Sequence, residues 1–197
     1  IPPLLNRTHI TSYRRFSFLA TYSTVTAACE PASTERLPAG RLAPMNADST
    51  TAIDSAAHRD CAVSLFNYTW TLLNKIDRTS EESNEMVRSA YASRWHWGVV
   101  GEPINFARGE WQISRCCAEA GQAEAALHHA QLYFDACTRD DYGPFDLAFA
   151  HEGMARALRI ADRKDEASSH IEKARLIGAG IKKDEDRAWL EDNLTGM

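Results

Sequence analysis

The histidine side chains could bind a metal ion or take part in catalysis, but their spacing matches no familiar metal-binding pattern. His128 and His129 are adjacent, so on a helix they point about 100° apart and do not easily share one ion. His151-Glu152 lacks a second histidine four residues on, which excludes the zinc-protease helix. His96 lies between two tryptophans and is expected in an aromatic cluster. Because histidines on different helices can converge, a metal- or small-molecule-dependent enzyme around His96, His151 and Glu152 stays open as an alternative.

Nucleophiles and paired carboxylates also lack a local signature. The sequence contains neither Gly-x-Ser-x-Gly nor a Gly-rich phosphate loop. Cys116 and Cys117 diverge on a helix and are expected to be buried as small hydrophobes. The cysteines from 61 to 137 show neither disulfide nor zinc spacing, which is typical of a reducing compartment such as the cytoplasm. Glu110 and Glu119 resemble ordinary solvated charges, so we expect no catalytic site, no metal and no cofactor.

The arginines stand out more clearly, because several of them fall on common helical faces. Six residues belong to two such faces: Arg108, Trp111 and Arg115 on the first, and Glu152, Arg156 and Arg159 on the second. Guanidinium groups suit bidentate contacts with carboxylates, and tryptophan offers a flat apolar platform. The alternative is a solvated helix surface, in which a Glu–Arg pair four residues apart contributes about 0.2–0.5 kcal/mol.

Composition limits the classes of protein to consider. The chain has 197 residues, 44% of them hydrophobic and 25% charged, as in an ordinary globular domain. No run approaches the ~18 consecutive apolar residues of a membrane helix. The net charge of −5 gives no reason to expect nucleic-acid binding. We therefore expect a partner that is neither membrane nor nucleic acid.

The first 44 residues differ in composition from the rest. They carry a net charge of +3 and five of the seven prolines, whereas the remainder carries −8. An Arg- and Ser/Thr-rich, acid-poor segment is typical of a transit peptide, and Arg14-Arg15 with a later Ala27-Ala28-Cys29 faintly resembles an export signal. We expect residues 1–44 to be a disordered leader or a mis-called start before Met45, with targeting as the alternative. The folded domain is expected over 45–197.

Helical periodicity runs through almost all of residues 45–197 and predicts an all-α fold of about six or seven helices. A first helix is expected from about 53 to 76, with Ile76 on its apolar stripe. Thr79-Ser-Glu-Glu82 matches a capping box for the second helix, and Pro103 and Pro144 suit the first turns of the third and fifth. Residues 138–144 form the clearest expected loop. A last amphipathic segment, 184–194, is expected to cap the open end of the array.

Two segments close one helix and open the next in the same way. Gly121 precedes Ala126 by five residues, and Asp162 precedes Ala167 by five. A repeated helical hairpin predicts a stacked array, because a single hairpin cannot bury its own apolar face. At these hairpins the chain resembles the tetratricopeptide-repeat family, with a small turn residue and an acid-Ala pair opening the second helix. The units are 41 residues apart against a usual spacing of about 34, which predicts an insertion at 138–144.

The resemblance implies a stack of antiparallel hairpins in which the first helix of each hairpin lines a concave groove. The stretch 95–115 is also similar to uncharacterised bacterial proteins of this repeat-like type. The groove-facing positions of the family fall on Arg108, Trp111, Arg115 and Glu119 in the third helix and on Glu152, Arg156 and Arg159 in the fifth. We expect this face to lie opposite the apolar stripe and not to contribute to the core.

From that groove we predict a protein-binding scaffold, not an enzyme, that recognises a carboxylate-bearing peptide or protein. The alternative is a self-associating structural protein, in which the terminal hairpin 53–97 stacks on a second copy to form a homo-oligomer.

Overall fold

The computed structural model describes residues 54–197, so the expectations for the leader at 1–44 lie outside the described residues. Within 54–197 the chain forms seven α-helices and no strand, which confirms the all-α prediction. The helices are α1 (Ser55–Leu73), α2 (Ser80–Val100), α3 (Pro103–Glu119), α4 (Ala123–Asp140), α5 (Pro144–Ile160), α6 (Lys164–Gly178) and α7 (Asp184–Thr195). None of these seven is both long enough and apolar enough to cross a membrane.

Local signals place most of the helix ends. The Thr79 hydroxyl accepts a hydrogen bond from the Glu82 amide at 3.2 Å, and the Glu82 carboxylate accepts from the Thr79 amide at 2.9 Å, so the predicted capping box is confirmed. Pro103 and Pro144 open α3 and α5 as expected. The prediction for the end of α1 is wrong, because α1 stops at Leu73 and Ile76 is exposed. The reason is Arg78, whose guanidinium donates to the last carbonyl groups of α1 at 2.8 Å.

The two predicted hairpin turns have the same geometry. Gly121 and Asp162 both adopt the left-handed conformation, with φ of +73° and +59°. In each turn the next amide donates to the carbonyl five residues earlier at 2.9 Å, which closes the preceding helix. Ala126 and Ala167 then pack in the core with almost no exposure. The equivalence read from the sequence is therefore a structural one.

The expected loop at 138–144 is shorter than predicted. Helix α4 continues to Asp140, and only residues 141–143 separate it from α5. Thr138 fits within the helix because its hydroxyl donates to the Phe134 carbonyl at 2.8 Å. Asp141 and Gly143 then reverse the chain with φ of +47° and +90°. Residues 138–140 of the expected loop therefore belong to α4.

Each of the first six helices packs against the next, and α3 also packs against α5. Among α1 to α6, the odd-numbered helices thus form one layer and the even-numbered helices the other. An apolar cluster lies between the layers and consists of Leu72, Met86, Ala90, Ile113, Cys116, Cys117, Ala126, Ala130, Met154, Ala157, Leu158 and Ala167. Helix α7 packs against α5 and α6. Helix α7 lies on the side of α3 and α5 where the groove was predicted.

Candidate functional site

The surface of the odd-numbered helices that turns away from the even-numbered layer is covered by α7. We call this surface the inner face; its residues are Trp70, Trp111, Arg115, Phe145, Phe149, Glu152 and Arg156. The ring of Trp189 on α7 lies in the middle of it, with centroids 4.4 Å from Phe149, 5.9 Å from Trp111 and 6.4 Å from Trp70. One side chain of α7 therefore contacts α1, α3 and α5 at once.

This arrangement overturns the expectation that the Arg/Trp face does not contribute to the core. Trp111 is 1% exposed, Arg108 and Arg115 are each 7% exposed, and Glu152 is fully buried. The Arg/Trp face does lie opposite the apolar stripe, which packs against the even-numbered helices. However, α3 and α5 have the even-numbered helices on one side and α7 on the other, so both of their faces are buried.

Glu152 is the buried charge at the centre of the inner face. Its Oε2 accepts a hydrogen bond from the Trp111 indole Nε1 at 3.0 Å. Its Oε1 pairs with the Arg156 guanidinium one helical turn further along α5. A fully buried carboxylate needs such partners because the loss of hydration is otherwise too costly. The Glu152–Arg156 pair is therefore more than a solvated surface contact.

Asn193 of α7 completes the polar part of the site. Its Oδ1 accepts hydrogen bonds from Arg115 Nη1 at 2.5 Å and from Arg156 Nη2 at 3.2 Å. Its Nδ2 donates to the Trp189 carbonyl at 2.7 Å, which fixes the orientation of the amide. The Arg115 guanidinium also lies 5.6 Å from the Trp70 ring and 5.7 Å from the Trp111 ring. Two cationic side chains thus converge on one acceptor oxygen beside an aromatic surface.

The other two predicted site residues lie apart from this centre. Arg108 forms a buried bidentate pair with Asp146, with Nε–Oδ1 and Nη2–Oδ2 distances of 2.8 and 3.0 Å. The Tyr133 hydroxyl donates to the same carboxylate at 2.9 Å, and burial raises the pKa of Tyr133 well above its usual value. Arg108 therefore ties α3 to α5. Arg159 is exposed near the end of α5.

Trp189 lies in the segment that was expected to cap the array, but the contribution of Asn193 to the site was not predicted. Trp189 and Asn193 are four residues apart and so share a helical face, a spacing that was visible in the sequence. The partner residues Trp70 and Phe149 fall at periodic positions of α1 and α5, where they were indistinguishable from ordinary core residues.

Polar clusters also occur outside the inner face. Glu110 accepts hydrogen bonds from Arg94 at 2.7 Å and from His129 Nδ1 at 2.6 Å, and the Tyr91 hydroxyl contacts His129 Nε2 at 2.7 Å. Burial opposes ionisation of Glu110, but the hydrogen bonds from His129 and Arg94 outweigh it and lower its pKa. Burial raises the pKa of Cys116, so this thiol stays protonated. Among residues 54–197 no three His, Cys, Asp or Glu side chains converge to hold a metal ion.

Comparison with known proteins adds no relative, because no family model, curated protein or solved structure matches the chain. The geometry of the site is therefore the basis for assigning a function.

Proposed function

We propose that this protein is an interaction module that binds a carboxylate-bearing peptide or protein on its inner face. The observation that carries the proposal is the convergence of Arg115 and Arg156 on a single acceptor oxygen, that of Asn193. A carboxylate oxygen in that position would accept the same hydrogen bonds with the opposite charge. Charge-assisted hydrogen bonds are roughly twice as strong as neutral ones.

The surroundings of the two arginines suit such a ligand. Trp111 and Phe149 are fully buried in the inner face and provide rigid apolar walls for a ligand side chain. Arg115 is 7% exposed, so its charge is poorly screened by solvent. An apolar anchor beside desolvated arginines is the usual composition of an interface hot spot.

The proposal retains the tetratricopeptide-like class suggested by the paired turns at Gly121 and Asp162. It describes a cytoplasmic scaffold, without a catalytic site or bound cofactor, that recruits its partner through the odd-numbered helices.

Self-association is the second candidate function, and an exposed apolar stripe on α2 favours it. Tyr91, Trp95 and Val99 recur every four residues and are 42%, 58% and 54% exposed. Their common helical face lies on the terminal hairpin, where a second copy would stack. Sedimentation of the full chain over a range of concentrations tests this candidate, since a monomer at all concentrations excludes it.

Selection of peptides from a displayed random library tests the primary proposal. The full chain is compared with Arg156→Gln, which removes one charge from the half-buried end of the site. Arg88→Gln is the matched control, because Arg88 is exposed on α2. We expect acidic peptides that bind the wild type and the control and that bind Arg156→Gln roughly tenfold more weakly.

Charge reversal is a poor test here, since Arg115→Glu would place a second carboxylate beside the buried Glu152 network. The proposal is contradicted if the selected peptides lack carboxylates. It is also contradicted if they bind the wild type and Arg156→Gln with equal affinity while the variant keeps its helicity.

A further inference from the structure

We propose that α7 is a replaceable occupant of the inner face, and that the partner enters as a helix with an aromatic residue followed four positions later by an acidic residue. This inference rests on the proposed function, since it names the class of partner for the same site. Its basis is that α7 already occupies the inner face in the way such a helix would.

The contacts of α7 are those of a helix bound in a groove. Trp189 fills the aromatic part of the inner face and Asn193 meets the two arginines, so both anchors lie on one side of α7. The side opposite these anchors is polar and exposed, and includes Asp184 and Thr195. Binding by anchors one turn apart on an amphipathic helix is a common mode of peptide recognition.

Helix α7 depends on docking for its helical structure. It has 12 residues, and isolated helices shorter than about 12–15 residues are marginal in water. Its N-cap residue, Lys183, makes no side-chain capping hydrogen bond. Release from the inner face is therefore coupled to local unfolding of residues 184–195, a transition separate from unfolding of the whole domain.

The apolar cluster between the two helix layers does not include α7. All its members come from α1 to α6. The connection between α6 and α7 spans residues 179–183 and includes Gly180, so it forms a short tether. Loss of α7 exposes Trp111 and Phe149 but leaves the contacts between the two helix layers in place.

The chemistry of Asn193 explains why a partner would displace α7. The Asn193 side chain offers a neutral oxygen to Arg115 and Arg156, whereas an aspartate offers a charged one. The advantage of α7 is its tether, which gives it an effective concentration on the order of millimolar. A partner with an acidic residue therefore competes by stronger hydrogen bonding. It binds only if its affinity for the inner face outweighs the effective concentration of α7.

Anisotropy titrations with labelled peptides of residues 181–197 test the inference on the full chain. The receptor is the wild type or the double variant Trp189→Ala/Asn193→Ala, in which the resident anchors are removed. Thr195→Ala is the matched control, because Thr195 is exposed on the side of α7 that faces away from Trp189 and Asn193. We expect the double variant to bind the peptide roughly tenfold more tightly than the wild type and the control do.

Variants of the peptide define the specificity of the site. A peptide with Asn193→Asp is expected to bind the double variant more tightly than the natural sequence, and one with Trp189→Ala to lose binding. Absence of peptide binding to a double variant that keeps the helicity of α1 to α6 overturns the inference.

Hydrogen exchange on the wild type provides a readout that does not depend on folding of the variant. We expect the amides of 184–195 to exchange faster than those of α3, and faster still when the Asn193→Asp peptide is added. Equal exchange of α7 and α3 shows that α7 opens only with the whole domain and overturns the inference.

The two proposals fail in different ways. A selected acidic peptide that requires Arg156 and speeds exchange of residues 184–195, but that needs no aromatic residue four positions before its acidic one, supports the proposed function and overturns the inferred partner helix. If the α7 peptide binds the double variant but the library does not yield carboxylate-bearing peptides, the displacement of α7 is supported and the proposed function is contradicted.

Discussion

His151 on α5 and His170 on α6 face each other with their Nδ1 atoms 2.9 Å apart. One nitrogen must donate and the other accept, so the pair is satisfied while both rings are neutral. Burial, and then the charge of His170, lowers the pKa of His151 to about 4. Burial and the nearby Lys173 also lower the pKa of His170, although Glu166 acts in the opposite direction. Protonation of this pair therefore opposes folding.

We predict that the free energy of unfolding decreases as the pH falls from about 6.5 to about 4. Unfolded histidine takes up its proton near pH 6.5, whereas folded His151 does so near pH 4, so the unfolded chain binds more protons in this window. Urea denaturation across the window measures the slope. His151→Gln with His170→Gln should reduce it, while His128→Gln, at an exposed position on α4, should not. Equal slopes in all three proteins would exclude the histidine pair as the cause.

The capping box gives a second prediction, with a control of opposite sign. Thr79→Ala removes the side-chain oxygen that accepts from the Glu82 amide, and should destabilise the protein by about 1 kcal/mol. Thr71 is exposed on α1 and instead donates to the Asn67 carbonyl, at a position where alanine is the better helix former. Thr71→Ala should therefore stabilise by a few tenths of a kcal/mol. Chemical denaturation measures both, and a destabilisation shared equally would refute the capping argument.

The contrast between Thr79 and Arg115 shows what the sequence could and could not predict. The capping box, the left-handed turn at Gly121 and the helices depend on residues a few positions apart, so they were predictable. Arg115 meets Asn193 across 78 positions of sequence. Its helical face was predicted correctly, but whether that face meets solvent or α7 depends on the path of the chain after α6. Helical periodicity carries no information about that path.

Breaking the buried Arg108–Asp146 pair should be far more costly than breaking an exposed one. Asp146 is 2% exposed, and Asp146→Asn removes the charge opposite Arg108 while keeping the size of the side chain. We expect a loss of about 3–5 kcal/mol, because a buried guanidinium loses its counter-charge. Asp140→Asn is the control, since Asp140 pairs with Arg139 at the surface, and it should leave stability unchanged within error. Similar melting temperatures for wild type and Asp146→Asn would show that the pair is not important for stability.

The contact between Gly178 and Leu190 gives the last prediction, which concerns the attachment of α7. A Cβ atom at Gly178 would overlap Leu190 Cδ2, and Leu190 is 3% exposed, so it has little room to move. At Gly98, in contrast, the nearest atom to an added Cβ is the flexible end of Arg94 at 3.4 Å. Gly98→Ala should stabilise α2 by about 0.5–1 kcal/mol, since alanine restricts the unfolded chain.

Gly178→Ala brings the same gain in helix propensity to α6 but forces Leu190 out of position. Overpacking of this kind costs about 1–3 kcal/mol, and here the cost falls on the junction of α6 and α7. We therefore expect faster hydrogen exchange at 184–195, with exchange in α1 and α2 unchanged. In the double variant Gly178→Ala/Leu190→Ala the overlap is gone, so its destabilisation should be smaller than the sum of the two single effects. If the destabilisations of the two single variants add up to that of the double variant, Leu190 can change its rotamer without cost. The attachment of α7 would then not depend on the absence of a side chain at Gly178.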